Sequence, residues 1–204
     1  MDTPPATASH LPVTALCELA GIALLLRLAN DFGPGWLPRT TFAVALFLYV
    51  PIFRYRGKAW PAWATTPGEP ERTLPTLFGV ALLGCAVWFL WLRLPLPALL
   101  RPGASPPIPH PLSFALHQAL IAFSEEFFFR GYLYDAFERH GVKPLVWTSL
   151  LFAATHLVIF PSPWRALTFF PALLFAWSRE RTGTVAVPAA LHFGFNLLPA
   201  FFRG

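Results

Sequence analysis

The chain is poor in charge: Asp, Glu, Lys and Arg make up 12% of its 204 residues, and 55% are hydrophobic. Soluble globular domains carry about 25% charged residues. The two cysteines, Cys17 and Cys85, lie in apolar stretches and show no C-x-x-C spacing, which argues against a disulfide framework or a cysteine metal site. Residues 1–10 contain no Lys or Arg and so lack the basic start of a secretory signal. These deficits favour a polytopic membrane protein over a soluble or disulfide-rich secreted one.

The net charge of +5 does not indicate a nucleic-acid partner, because the basic residues form no patch interleaved with aromatics. Most of them lie in short connections between apolar segments, where Lys and Arg set the orientation in the membrane. Eight basic residues on one predicted side outweigh five on the other, which predicts a cytoplasmic N-terminus. The eight are Arg54, Arg56, Lys58, Arg72, Arg139, Lys143, Arg179 and Arg181.

Seven apolar segments predict an all-α polytopic membrane protein with about seven transmembrane helices in one bundle around a buried polar cavity. Six or eight spans are the alternatives, because the second and sixth segments are short for a hydrocarbon core that needs about 20 residues. We expect a single transmembrane domain over residues 1–204 with a catalytic core at 112–200. The sequence shows no internal repeat, so it does not support an inverted-repeat transporter fold. The segments are 11–30, 40–53, 74–94, 112–137, 144–160, 164–177 and 184–202.

The fourth segment contains ionisable residues in the run Ser124-Glu125-Glu126-Phe127-Phe128-Phe129-Arg130. Each such residue at the centre of a span costs roughly 2.5–3.5 kcal/mol on insertion scales. Glu126 and Arg130 are four residues apart and can pair on one face of a helix. Glu125 points about 100° away and has no partner within its own helix. An unpaired carboxylate within a span is a candidate functional group.

Two further segments carry polar groups at a similar depth. The fifth contains Phe152 and His156, and the seventh contains His192 and Asn196. With a rise of 1.5 Å per residue, Glu125, His156 and Asn196 each lie about 18 Å, and His192 about 12 Å, from loops predicted on one side. Three helices are therefore predicted to bring an acid, two imidazoles and an amide to one level.

This set of groups is sufficient for hydrolysis of an amide by water without a covalent intermediate. A carboxylate acts as a general base on water, and a neutral histidine shares the water and moves its proton. A second histidine and an asparagine amide provide donors for a tetrahedral oxyanion. A proton-coupled transporter that uses the same buried Glu and His as a relay is the alternative, and a catalytically silent scaffold is a third hypothesis.

Taken together, the three motifs resemble the CPBP family of intramembrane proteases, the CAAX-protease and bacteriocin-processing (Abi) proteins. The family includes the Ras-converting type of prenyl-protein endopeptidase. Its pattern is Glu-Glu-x3-Arg, Phe-x3-His and His-x3-Asn. This chain reads Glu125-Glu126-x3-Arg130, Phe152-x3-His156 and His192-x3-Asn196, complete and in order.

The resemblance implies that Glu125 and His192 activate the water and that His156 and Asn196 hold the oxyanion. Glu126 and Arg130 would brace the site, with Phe152 as a supporting packing residue. No cofactor is expected. Because the family has also been described as metalloproteases, a zinc ion held by Glu125, His156 and His192, with one open position, is the alternative.

The resemblance also implies a membrane-embedded or lipidated protein or peptide as the substrate, and the bacterial inner (plasma) membrane as the location. C-terminal processing or sorting of surface proteins is the task that we expect for such a compact chain.

Overall fold

The computed structural model describes residues 12–35, 37–95, 97 and 110–201, and the described part contains helices and no strand. The all-α prediction is confirmed. Proline stands in the first turn of α4, α5 and α7, where its missing N–H leaves no hydrogen bond unmade. The helices are α1 (Val13–Phe32), α2 (Arg39–Tyr55), α3 (Ala62–Thr65), α4 (Pro70–Arg93), α5 (Pro111–Glu126), α6 (Tyr134–Arg139), α7 (Pro144–Ile159), α8 (Phe169–Thr182) and α9 (Ala186–Phe201).

Two of these helices, α1 and α4, are long and apolar enough to cross a membrane by length and composition, with mean hydropathies of 1.6 and 1.9 over their most apolar windows. Helix α7 is apolar but shorter. The seven predicted segments all correspond to helices, but their number as membrane spans stays a prediction.

The sixth predicted segment, 164–177, is displaced in the structure. A 3-10 helix covers Pro163–Thr168, and α8 runs from Phe169 to Thr182. An apolar run in the sequence marks the side chains that suit lipid, but it does not mark where the helix ends. The end of the helix is set by the residue that caps its backbone. Here the cap is Gly183, whose φ of 74° lies in the left-handed region. It ends α8 at Thr182, five residues beyond the apolar run.

The fourth predicted segment is not a regular α-helix. Between α5 and α6 the backbone forms a π-helical segment over Phe127–Leu133, so the helical run from Pro111 to Arg139 changes its twist immediately after the two glutamates. Single π-helical turns are frequent at functional sites. Trp63 of α3 packs directly on this segment: a Cβ added to Gly131 would lie 2.5 Å from the Trp63 ring.

The connections that were predicted to share one side of the membrane meet in the structure. The hydroxyl of Tyr55, at the end of α2, donates to Asp135 of α6 at 2.6 Å. The amide of Val185, before α9, donates to the carbonyl of Trp63 at 3.2 Å. At the other end of the bundle Asn30 of α1 donates to the carbonyl of Ile159 of α7 at 3.3 Å. The helix ends therefore group as predicted, whereas their placement on the two sides of a membrane and the orientation of the N-terminus remain predictions.

The interior contains one large apolar cluster and one smaller one. The large cluster joins α1, α2, the π-helical segment and α7, with Phe47, Phe128 and Phe129 at its centre. The smaller one joins α4, α8 and α9 through Val80, Phe175 and Leu191. Helices within lipid associate through such close packing, because the lipid tails are as apolar as the side chains.

Candidate active site

Glu126 is the centre of the polar cluster. Its side chain is fully buried, and its Oε1 atom accepts two hydrogen bonds, from Nη1 of Arg130 at 3.0 Å and from Nδ1 of His192 at 2.8 Å. The predicted i, i+4 pair of Glu126 and Arg130 therefore forms, although the helix between them is π-helical. The π-helical turn and α9 meet at this one oxygen atom.

Arg130 is also fully buried, and several groups stabilise its charge besides Glu126. Its Nη2 donates to the carbonyl of Ala172 on α8 at 2.8 Å, and its guanidinium carbon lies 4.7 Å from the centre of the Phe152 ring and 5.5 Å from that of Phe175. A buried cation is costly unless it is paired and hydrogen-bonded. The carboxylate, the carbonyl and the two rings together provide this environment.

His192 lies between the two glutamates. Its ring stacks on Phe175 with the centroids 5.0 Å apart, and its Nε2 atom is 3.7 Å from Oε2 of Glu125. Because Nδ1 faces the carboxylate of Glu126, the neutral ring carries its proton on Nδ1. Nε2 then presents a lone pair towards Glu125.

Glu125 differs from Glu126 in its access and in its partners. Its side chain keeps 12% of its surface exposed, against 0% for Glu126. Its Oε2 atom receives no hydrogen bond from the described residues, although that atom is buried. Buried polar atoms in proteins are normally satisfied by protein or by ordered water. The Oε2 atom of Glu126 is likewise buried and without a donor among the described residues, so the exposed part of the side chain distinguishes the two. Glu125 is thus the carboxylate that a water molecule can reach.

His156 joins the cluster through Phe152. The two rings are 4.4 Å apart, and Nδ1 of His156 lies 3.0 Å from the carbonyl oxygen of Phe152, one turn earlier on α7. The Phe152 ring also contacts His192 at 5.7 Å between centroids. While Nδ1 of His156 donates to this carbonyl, Nε2 of the neutral ring is an acceptor, and it becomes a donor when the proton moves to Nε2.

Asn196 lies one turn beyond His192 on α9 and is half-buried. Its amide makes no polar contact with the other described residues, so it is not drawn into the Glu126 cluster. The structure thus brings together Glu125, Glu126, Arg130, Phe152 and His192, with His156 beside them. The roles of all seven predicted site residues remain predictions.

Helix α8 contributes to the site in a way that the motifs did not predict. Ala172 supplies a carbonyl to Arg130, Phe175 supports the ring of His192, and Arg179 donates from Nε to the backbone oxygen of Arg130 at 3.2 Å. Positions 172, 175 and 179 follow the spacing of one helix face. This periodicity could have indicated that α8 faces the site.

The hydroxyls next to the motifs are engaged within their own helices. Ser124 donates to the carbonyl of Ile121 at 2.9 Å, and Thr155 donates to that of Leu151 at 2.8 Å. Neither contacts a histidine, as an activated nucleophile would. This arrangement agrees with hydrolysis by water rather than through a covalent intermediate.

The alternative zinc site does not fit the side chains as they are placed. No three His, Cys, Asp or Glu residues converge on a common point among the described residues. Both histidines bind protein groups through Nδ1 and keep Nε2 free of hydrogen bonds within the described part of the chain, so the misfit lies in the spacing of the predicted ligands and not in their hydrogen bonds.

Residues 107–198 match the family model described as Rce1-like, type II CAAX prenyl endopeptidase Rce1-like. The matched segment contains all three motifs. The CAAX-protease resemblance is confirmed. The match to CAAX-type intramembrane proteases implies a hydrolase in a membrane, and it favours this interpretation over the proton-coupled transporter. No curated protein and no solved structure matches the chain.

Proposed function

We propose that this protein is an intramembrane endopeptidase that hydrolyses a peptide bond of a membrane-associated protein or peptide with water activated by Glu125 and His192. The observation that carries the proposal is the position of His192 between two carboxylates. Nδ1 is bonded to Glu126 at 2.8 Å, and Nε2 faces Glu125 at 3.7 Å.

Two acceptor atoms at this separation can share one water. A water oxygen about 2.8 Å from both Nε2 of His192 and Oε2 of Glu125 would close a triangle with them and donate one proton to each. Glu126 keeps His192 in the required tautomer and orientation. A base that is oriented by a second carboxylate is a recurrent arrangement in hydrolases.

In the proposed reaction Glu125 removes a proton while the water oxygen attacks the carbonyl carbon of the scissile bond. The electron pair of the carbonyl moves to its oxygen, which becomes the oxyanion. Asn196 donates to this oxyanion from its amide, and neutral His156 donates to it from Nε2 when the ring carries its proton there rather than on Nδ1. Glu125 then transfers its proton to the leaving nitrogen, so the C–N bond breaks to give an amine and a carboxylic acid.

The surface beside Glu125 supports an apolar or lipidated substrate. Along α5 the exposed apolar side chains Leu112, Leu116, Leu120 and Phe123 recur every three or four residues. They form a stripe on one face of the helix that ends two residues before Glu125. An apolar segment or a lipid group that lies along this stripe would bring the adjoining peptide bond to the site, as in C-terminal processing or sorting of membrane-attached proteins.

The decisive experiment compares the wild type with Glu125→Gln in liposomes. Two reporters are offered, a farnesylated peptide with a C-terminal tripeptide and a single-span protein with a C-terminal helix, and mass spectrometry detects new C-termini. Glu138→Gln is the matched control, because Glu138 is exposed on α6. Loss of a general base lowers rates by about 10²–10⁴. Wild-type rates in a folded Glu125→Gln variant would refute the assignment.

A further inference from the structure

Two cavities adjoin in the groove between α4 and α8. A polar one of about 430 Å³ is lined by Arg72, Trp177, Glu180 and Arg181. An apolar one of about 450 Å³ continues from it. Both cavities are lined by Trp177, so the polar one at the ends of the two helices and the apolar one nearer their middle lie side by side in this groove.

The groove changes its chemistry in a regular order along α4. Arg72 stands in the first turn, Thr76 follows one turn later, and Gly79 and Leu83 come after it. The Oγ1 atom of Thr76 is buried and has no hydrogen-bond partner among the described residues. The order is thus a cation, then an unsatisfied hydroxyl, then an apolar wall.

The same order of chemical groups matches the parts of a phospholipid whose head group lies at the end of the bundle and whose acyl chain points towards the middle. A phosphate would meet Arg72, the polar glycerol ester would lie at the level of Thr76, whose hydroxyl would reach it by rotating about its side chain, and an acyl chain would follow past Gly79 and Leu83. Trp177 stands where the two environments meet, as tryptophan does at membrane interfaces. Basic pockets between spans bind lipid head groups in this way.

The charges of the polar cavity indicate the kind of head group. Arg181 lies 5.8 Å from the Trp177 ring, and Arg72 shares its charge with the exposed Glu69 at 3.1 Å. The polar cavity thus contains two cations, Arg72 and Arg181, that can bind a phosphate. It also contains Glu180, a carboxylate that can accept hydrogen bonds. A head group with a phosphate and a primary ammonium complements both signs, because an ammonium donates to a carboxylate and a trimethylated amine does not.

We propose that the groove between α4 and α8 is a specific binding site for phosphatidylethanolamine, with the phosphate on Arg72 and Arg181 and the ammonium on Glu180. The site shares no lining residue with the Glu126 cluster. It therefore stands independently of the proposed proteolytic activity.

The test is native mass spectrometry of the whole protein in detergent with an equimolar mixture of phosphatidylethanolamine, phosphatidylglycerol and phosphatidylcholine. We expect phosphatidylethanolamine to be retained in preference to both phosphatidylcholine and phosphatidylglycerol, because only its head group offers an ammonium to Glu180. The double variant Arg72→Gln/Arg181→Gln removes two charge-assisted contacts and should weaken this retention by about tenfold or more. Glu180→Gln should abolish the preference over phosphatidylglycerol. Arg56→Gln/Lys58→Gln, which removes two exposed charges outside the groove, should leave both unchanged.

A second variant tests the acyl part of the site. A Cβ added to Gly79 meets nothing within 4 Å, so Gly79→Leu can fill the groove without a clash and should prevent lipid retention. Gly21→Leu on α1 is its control, because that position is equally open. Thermal unfolding in lipid-free detergent verifies that the variants fold. Equal retention of all three lipids, full retention in Gly79→Leu, or displacement of the lipid by inorganic phosphate alone would overturn the proposal.

Discussion

The Nδ1 atom of His192 and the Oε1 atom of Glu126 lie 2.8 Å apart, and the same oxygen is 3.0 Å from Nη1 of Arg130. One carboxylate oxygen therefore fixes an imidazole on α9 and a guanidinium on the π-helical turn. The neighbouring Glu125 accepts no hydrogen bond from the described residues and keeps 12% of its side chain exposed. Two consecutive glutamates thus have different environments: one is braced by two donors, and the other is open to water.

The two ring nitrogens of His192 have different partners, and two substitutions can separate their roles. In His192→Asn the side-chain amide can still donate to Glu126 but nothing replaces Nε2, whereas His192→Phe removes both groups. We expect both variants to lose proteolysis by about 10²-fold or more, since the proton-transfer group is gone. Only His192→Phe should lower the thermal unfolding temperature clearly, because it removes one of the two hydrogen bonds that the buried carboxylate of Glu126 accepts. Equal unfolding temperatures of the two variants would contradict the structural role of Nδ1.

Glu126 and Arg130 form a buried ion pair, and removing one partner should be worse than removing both. Glu126→Gln leaves the buried charge of Arg130 uncompensated, which costs about 3–5 kcal/mol of unfolding free energy. The double variant Glu126→Leu/Arg130→Met should be more stable than Glu126→Gln in reversible unfolding in mixed micelles. Asp31→Asn, which removes a partly exposed ion pair with Arg27, should cost less than about 1 kcal/mol. A double variant that is no more stable than Glu126→Gln would contradict the coupling.

The π-helical turn depends on close contact between Gly131 and Trp63. A Cβ at position 131 would lie 2.5 Å from the indole ring, which is itself buried and rigid. Gly131→Ala should therefore destabilise the fold by about 1–3 kcal/mol, as overpacking does. Trp63→Phe makes room and should recover part of the loss in the double variant. Thermal unfolding in detergent measures both, and an unaffected Gly131→Ala protein would show that this packing is not required.

Tyr132 connects the π-helical turn to the first helix. Its hydroxyl donates to Glu18 at 2.5 Å, and Arg54 of α2 donates to the same carboxylate from Nε at 2.7 Å. Tyr132→Phe keeps the ring and removes one hydrogen bond to a charged group, so unfolding free energy should fall by about 1.5–3 kcal/mol. Tyr49→Phe, at an exposed ring on α2, provides the matched control and should change little.

Metal dependence separates the water mechanism of Glu125 and His192 from a zinc mechanism. The proposed reaction uses only side chains, so incubation with a strong chelator followed by removal of the chelator should leave cleavage of the reporters unchanged. The measurement pairs this activity with the metal content of the purified protein by mass spectrometry. Loss of activity that zinc restores, at one zinc per chain, would overturn the metal-free mechanism.

Much of the candidate site follows from the sequence, because contacts within one helix depend on spacing alone. Residues four apart lie on one helix face, so Glu126 and Arg130 pair as predicted, and Phe152 lies against His156. Apolar segments between prolines and glycines likewise indicated the helices. The three motifs placed the chemistry on three helices and carried the resemblance that the family match confirms.

The tertiary structure decided the relations that no spacing contains. Which glutamate receives His192 depends on how α9 is rotated against the π-helical turn, and that turn is not visible in a hydropathy pattern. The support from Phe175 and Arg179 depends on the packing of α8, and the groove at Trp177 exists only where α8 meets α4. Local sequence determines what a helix can present, whereas the packing between distant segments determines what each side chain meets.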